Sequence, residues 1–249
     1  MTKKMPLISS HARGLLDEAL IQQWHQTIAD RLTDSAVGLD YPNSPKWEGV
    51  TLVAVTKYAS AEQMLGAFRA GLKNFGESRP VEALEKRSQL PIEIEQTIIW
   101  HFIGNLQRNK VNKVVGYYTL IHSVDTFELL EAIAQRATGL NIIQAVLLQV
   151  NISGETSKNG FEPHEAENVL RKAETLHSVR VCGFMTMAPK EATEQQQAEI
   201  FSNFQQLKSH LENKLGKKFN SSSMGMSQDY SQALIQGATI VRIGNKLFT

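Results

Sequence analysis

The chain has 249 residues, 42% hydrophobic and 20% charged, with a formal net charge of +1. That is ordinary globular composition, and its balance excludes a strong global field for nucleic acid or a membrane surface. Cys182 is the sole cysteine, so no intrachain disulfide forms, and no apolar run approaches the ~20 residues of a membrane span. The N-terminal stretch has no apolar core of a secretory signal, so the sequence predicts a cytoplasmic protein.

Helical spacing of Leu16, Leu20, Trp24, Ile28 and Leu32 predicts a first helix over about 10–36. A loop rich in Pro, Asn and Gly follows, and then "VTLVAVTK", a strand that ends on Lys57. Ser60 is placed to cap a helix that stops at Gly71. "LKNFGES" reads as a second strand, and Pro80 opens the next helix. A third strand, "TIIWHFIG", is followed by a predicted helix over "LQRNKVNKVVG". "YTLIHSVD" is the fourth strand, and "TFELLEAIAQRATG" is a helix. "QAVLLQVNIS" is the fifth strand, before the loop "GETSKNGF" and the helix "EPHEAENVLRKAETLH". "VRVCGFMTM" is the sixth strand, and a long helix covers much of 191–215. "FNSSSMGM" is a weak seventh strand, "DYSQALIQGA" a helix and "TIVRIG" the eighth strand. Eight short apolar strands alternating with helices predict parallel βαβ units closed into a TIM-type (β/α)8 barrel, with the open doubly wound sheet as the other arrangement. The whole chain, 1–249, reads as one α/β domain: an extra N-terminal helix at about 10–36 and a barrel at about 50–249.

The residues that a core would not hold gather at the strand ends, where barrels carry their active sites. They include Lys57, Ser78, His101, the serines of "SSSMGMS" and Arg242. Small residues after strands seven and eight let backbone N–H groups approach an anion, so this rim reads as a phosphate cradle. A lysine across the mouth from such a cradle suggests pyridoxal 5'-phosphate (PLP). A solvated strand end is the competing reading of Lys57 alone. Turn and cap chemistry competes for Ser223 and Ser227, and a buried ion pair for Arg242. Core packing competes for His101, and it is favoured for Met185. No metal site is expected.

The segments "VAVTK", "FGES", "WHFIGNLQRNK", "IHSVD", "VNISGETSKNGF", "GFMTMAP", "SMGMSQD" and "VRIGNKLF" resemble the signature stretches of the pyridoxal phosphate homeostasis proteins, also called proline synthase co-transcribed proteins. The resemblance runs from about Val53 to Phe248. It implies a barrel like the N-terminal domain of alanine racemase, with PLP held as a Schiff base on Lys57. By the family pattern, Ser223 and the backbone at Gly244 and Asn245 hold the phosphate, with Ser227 close by. Arg242 approaches the pyridine nitrogen. From their own places near the strand ends, Ser78, His101 and Met185 are added to the expected cofactor-binding set. Ser78, Arg79, Arg108 and Asn245 depart from the commoner residues. The resemblance further implies a homeostasis role without a metabolic reaction, with PLP-dependent apoenzymes as acceptors; a monomer is expected because no extra dimerising domain is visible. The alternative is a PLP-dependent amino-acid racemase of fold-type III. A racemase needs a second acid–base group, and this chain leaves no residues for the second domain that supplies it in alanine racemase.

Overall fold

The strands close on themselves in sequence order, β1 through β8, each parallel to its neighbours, with β8 returning to β1. The computed structural model describes Gln26, residues 49–155 and residues 159–248. Apart from Gln26, which is helical, the predicted helix at about 10–36 lies outside the described residues, as does the centre of the loop after the fifth strand. β1 (Thr51–Val55) leads to α1 (Ala61–Arg69), and β2 (Asn74–Glu77) to α2 (Pro80–Arg87) and the single turn α3 (Ile92–Glu95). β3 (Ile99–Phe102) and β4 (Leu120–Val124) are followed by α4 (Phe127–Gly139) and β5 (Gln144–Gln149). Then come α5 (Ala166–Ala173), β6 (Val179–Met185), α6 (Glu194–Leu215) and β7 (Ser221–Ser223). α7 (Tyr230–Ile235), β8 (Ile240–Ile243) and α8 (Asn245–Phe248) finish the described chain.

Local chemistry sets several of these boundaries. Ser60 and Thr193 cap α1 and α6, each in a reciprocal box with a glutamine three residues on. Thr126 caps α4 by accepting the Leu129 N–H. Gly216, in the left-handed region at φ 63°, ends α6. The segment predicted as a helix between β3 and β4 is instead a 3-10 stretch, Arg108–Lys113. Asn109 and Asn112 are weak helix formers, and a 3-10 turn suits so short a crossing. α3 and α8 were not foreseen, because four residues carry no periodicity.

The core has two compartments. Leu52, Phe75, Phe102, Ile121, Leu148, Phe184 and Val241 pack outward against the helices. Val53, Leu120, Leu147, Met185 and Ile240 form a smaller interior cluster with Ala145, Cys182 and Met187 at its edge. This division follows from strand alternation: residues two apart share a face. The register of β5 on β6 slips at one place, from Val146 opposite Val181 to Leu147 opposite Gly183, so Cys182 is the extra residue of a bulge. Close backbone passages depend on glycine. A Cβ on Gly104 would lie 2.3 Å from the Ser78 carbonyl oxygen.

Gly104→Ala should therefore lower stability by roughly 1–3 kcal/mol, since backbone has to move. Gly139, helical and with nothing near its absent Cβ, should give the opposite sign: Gly139→Ala gains about 0.5–1 kcal/mol. Urea unfolding of the two variants beside the parent measures both.

Candidate functional site

Arg242 is the residue around which the barrel's interior is arranged. It lies on β8 between Ile240 and Gly244, so alternation turns it inward, and it is 4% exposed. Its Nη1 donates to Ser223 Oγ at 2.5 Å and its Nη2 to the Thr186 carbonyl at 3.2 Å. Burial lowers its pKa to about 10, opposed by the nearby Asp229 carboxylate, so it stays cationic at neutral pH. Burial raises the pKa of Asp229, against the Met226 N–H and Arg242.

From Ser223 a polar string crosses the barrel. His122 Nδ1 lies 2.9 Å from Ser223 Oγ, and His122 Nε2 lies 2.9 Å from His101 Nδ1. His101 Nε2 ends the string at Asn74 Oδ1, 3.0 Å away. The two imidazoles meet edge-on with centroids 5.1 Å apart. Burial lowers the His101 pKa to about 4. Burial, then His101 and Arg242, hold His122 well below the ordinary histidine value. Both rings are therefore neutral at pH 7.

The rim above Arg242 is built from two tight turns. After β7, Asp229 Oδ1 accepts the Met226 N–H at 2.6 Å, and the Asp229 and Tyr230 N–H groups both reach the Met226 carbonyl. Gly225 sits at φ +90° with the Ala233 Cβ and Tyr230 Cα against it, so no side chain fits there. After β8, the Leu247 and Phe248 N–H groups both bond the Gly244 carbonyl. A Cβ on Gly244 would come 3.1 Å from the Val55 carbonyl oxygen, so the end of β8 touches the end of β1.

Lys57 leaves that end of β1. Ala54 pairs with Ile243 across β1 and β8, which puts Lys57 on the same rim as Gly244 and Asn245. The residue before it is held hard. Thr56 Oγ1 donates to Glu77 Oε1 at 2.8 Å, and the Thr56 carbonyl accepts Lys86 Nζ at 2.5 Å. Lys86 also pairs with the buried Glu77 at 2.6 Å. Glu77, a strand-end residue without an evident role in the sequence, thus anchors the backbone that presents Lys57. The Lys57 side chain is exposed, with Nζ 5.0 Å from the Tyr58 ring centroid. Arg79 approaches the same ring, 5.9 Å from its centroid.

Lys57 follows the end of β1, Arg242 lies on β8, and Gly244 and Asn245 follow it, with β1 and β8 paired side by side. Ser227 is half-buried in the turn after β7, and Asn245 is exposed at the start of α8. Ser223, expected at the phosphate, is fully buried, with its hydroxyl engaged by Arg242 and His122. His101 lies in the polar string inside the barrel, and Met185 packs in the apolar interior cluster. Ser78 is half-buried beside Gly104. His122, Asn74 and Lys86 were missed by sequence reasoning, and Thr186, which stands at the end of the sixth strand, contributes its carbonyl to Arg242. For His122 a signal existed: alternation in "LIHSV" places it on the same face as Leu120. Among the described residues no cluster of metal-ligating side chains occurs, and no helix is long and apolar enough to cross a membrane.

The model of the alanine racemase N-terminal domain matches residues 46–249. Proteins named pyridoxal phosphate homeostasis protein are 37% identical in Aquifex aeolicus, over 79% of this chain and 85% of that one. The one from Synechocystis is also 37% identical, over 80% and 90%. The chain belongs to the pyridoxal phosphate homeostasis protein family. A protein of similar fold is PipY of Synechococcus elongatus, solved with PLP bound, at a TM-score of 0.78 and 31% identity. It covers 89% of this chain, which covers all of that one. An alanine racemase of Clostridium difficile shares the fold alone, with a TM-score of 0.67 at 14% identity over 92% of this chain and 56% of that one.

The neutral histidine pair makes stability depend on pH. Between the ordinary value of 6.5 and about 4 for His101, the unfolded chain binds more protons than the folded one. Stability is therefore full above pH 6.5 and is lost as pH falls toward 4. His101→Gln removes one titrating group. The stability difference between parent and variant should shrink across that window in urea unfolding, and a difference constant with pH contradicts the assignment.

Proposed function

We propose that this protein binds PLP as a Schiff base on Lys57 and serves in intracellular PLP homeostasis, holding the cofactor rather than turning over a metabolite. The observation that carries the reading is the buried Arg242 guanidinium on β8, beside the strand end that presents Lys57. A lysine amine and a fixed donor fork on adjacent strands fit an aromatic aldehyde with an acceptor ring nitrogen. Ser223 and Thr186 take one N–H each of the five in the fork. Gly225 leaves no room for a Cβ and Gly244 only a tight fit against Val55, and small residues in both turns suit close backbone approach to a phosphate. In this reading Lys57 supplies the amine, Arg242 faces the pyridine nitrogen, and the backbone at Gly244 and Asn245, with Ser227, holds the phosphate. Ser223 acts through Arg242, because its hydroxyl is already committed. His101 acts in the same way, while Ser78 and Met185 line the site without a described polar contact to it.

Bound PLP supplies an aldehyde for condensation with an amine and a ring that withdraws electrons. A guanidinium facing the ring nitrogen donates to it and opposes its protonation, which weakens that withdrawal. The arrangement thus favours holding the cofactor over amino-acid chemistry. The homeostasis name of the curated relatives supports the same choice, and PLP in the PipY structure supports the ligand. The reading further includes a cytoplasmic monomer that passes PLP to PLP-dependent apoenzymes.

The purified protein should be yellow, borohydride should bleach the visible band, and Lys57→Ala should lack it. A protein that stays colourless after incubation with PLP sinks the proposal, and amino-acid racemisation dependent on Lys57 overturns the carrier role.

A further inference from the structure

We infer that His122 and His101 are positioning residues for Arg242: with Ser223 they form a one-way hydrogen-bond chain that fixes the guanidinium beneath the mouth. The inference rests on the reading that Arg242 faces the cofactor ring.

The direction of the chain follows from its two ends. Arginine has no acceptor, so at 2.5 Å Ser223 Oγ must accept from Nη1. The one proton of the serine hydroxyl is then free to donate, and His122 Nδ1 is the atom within reach at 2.9 Å. A neutral imidazole that accepts at Nδ1 donates at Nε2, and His122 Nε2 faces His101 Nδ1 at 2.9 Å. His101 repeats the pattern and donates from Nε2 to Asn74 Oδ1 at 3.0 Å. Every link runs the same way, from β8 through β7, β4 and β3 to β2. The opposite tautomer at His101 would set its bare Nε2 against the Asn74 oxygen. An imidazolium at either ring would set a donor against a donor.

Burial supports neutrality at both rings. The charged groups facing the chain's cationic end are Arg242 itself and Asp229 on the turn after β7, and no carboxylate contributes to the shift of either histidine. Packing alone gives no reason for the chain. The same interior also holds an apolar cluster of Val53, Leu120, Leu147, Met185 and Ile240, and apolar residues fill such space without a need for partners. What the chain adds is a fixed acceptor for Arg242 that cannot turn away. With Thr186 O on Nη2 and Ser223 on Nη1, the plane of the guanidinium is set at two points.

Two measurements test this. Nitrogen-15 NMR of histidine-labelled protein, without added PLP, should show both rings as neutral Nε2–H tautomers from pH 7 to pH 5. Ser223→Ala should move the His122 Nδ1 resonance. An Nδ1–H tautomer or an imidazolium at either ring overturns the chain. In PLP-loaded protein, Ser223→Ala and His122→Phe should each shift the visible band and weaken PLP binding about tenfold. The double variant should lose little more than either single one, and Ser223→Thr should restore the parent band. Variants with a lowered urea midpoint but an unchanged band and affinity show a merely structural role and overturn the inference. A parent protein that never colours with PLP overturns the cofactor reading instead, while the tautomers still judge the chain.

Discussion

Burying a guanidinium inside a barrel costs several kcal/mol unless acceptors meet it. That constraint shapes the interior here. Arg242 is met by Ser223, by the Thr186 carbonyl and, at longer range, by Asp229. Ser223 then needs an acceptor for its own proton, which brings in His122, then His101, then Asn74. Five of the eight strands thereby contribute to one polar string, and two of them, β4 and β8, also give Leu120 and Ile240 to the apolar interior cluster. Asp229 also closes the turn after β7 through the Met226 N–H, so the group that balances Arg242 shapes the rim above it.

The mouth depends on a second set of constraints, in the backbone. Gly244 brings β8 against Val55, and Glu77 with Lys86 grips Thr56, so the chain on both sides of the β1–β8 seam is fixed just where Lys57 departs. The Lys86–Glu77 pair is not a surface ornament. Glu77 is 1% exposed, and removing either partner would leave the other charge or the Thr56 carbonyl unmet. The Lys57 side chain itself is exposed, with its Nζ near the Tyr58 ring.

The barrel was legible in the sequence because most strands are short apolar runs bounded by Gly, Pro or polar residues, β7 with its three serines being the weak one, and because helices lie between them. Lys57, Gly244 and Arg242 were legible for the same reason: polar or glycine positions at strand ends stand out from their neighbours. The partners were not. That Glu77 meets Lys86, or that Ser223 meets Arg242 and His122, depends on which strands become neighbours across a closed sheet, and no local spacing encodes it. Ser223 shows the consequence. A small hydroxyl at the end of β7 reads as a phosphate donor, and nothing in its local spacing announces the contacts it makes with Arg242 on β8 and His122 on β4. His122 sat unnoticed inside "LIHSV" although its parity with Leu120 already turned it inward. The segment Arg108–Lys113 differed in kind, because basic and amide residues around Val111 resemble a helix face without the length to sustain one.

The central claim is that Lys57 is the amine that holds PLP. The most direct measurement is peptide mapping by mass spectrometry after the PLP-loaded protein is reduced with borohydride. The account predicts a single pyridoxyl-modified peptide, with the modification on Lys57. A modification spread over surface lysines, or placed on Lys86 or Lys246 instead, would contradict it.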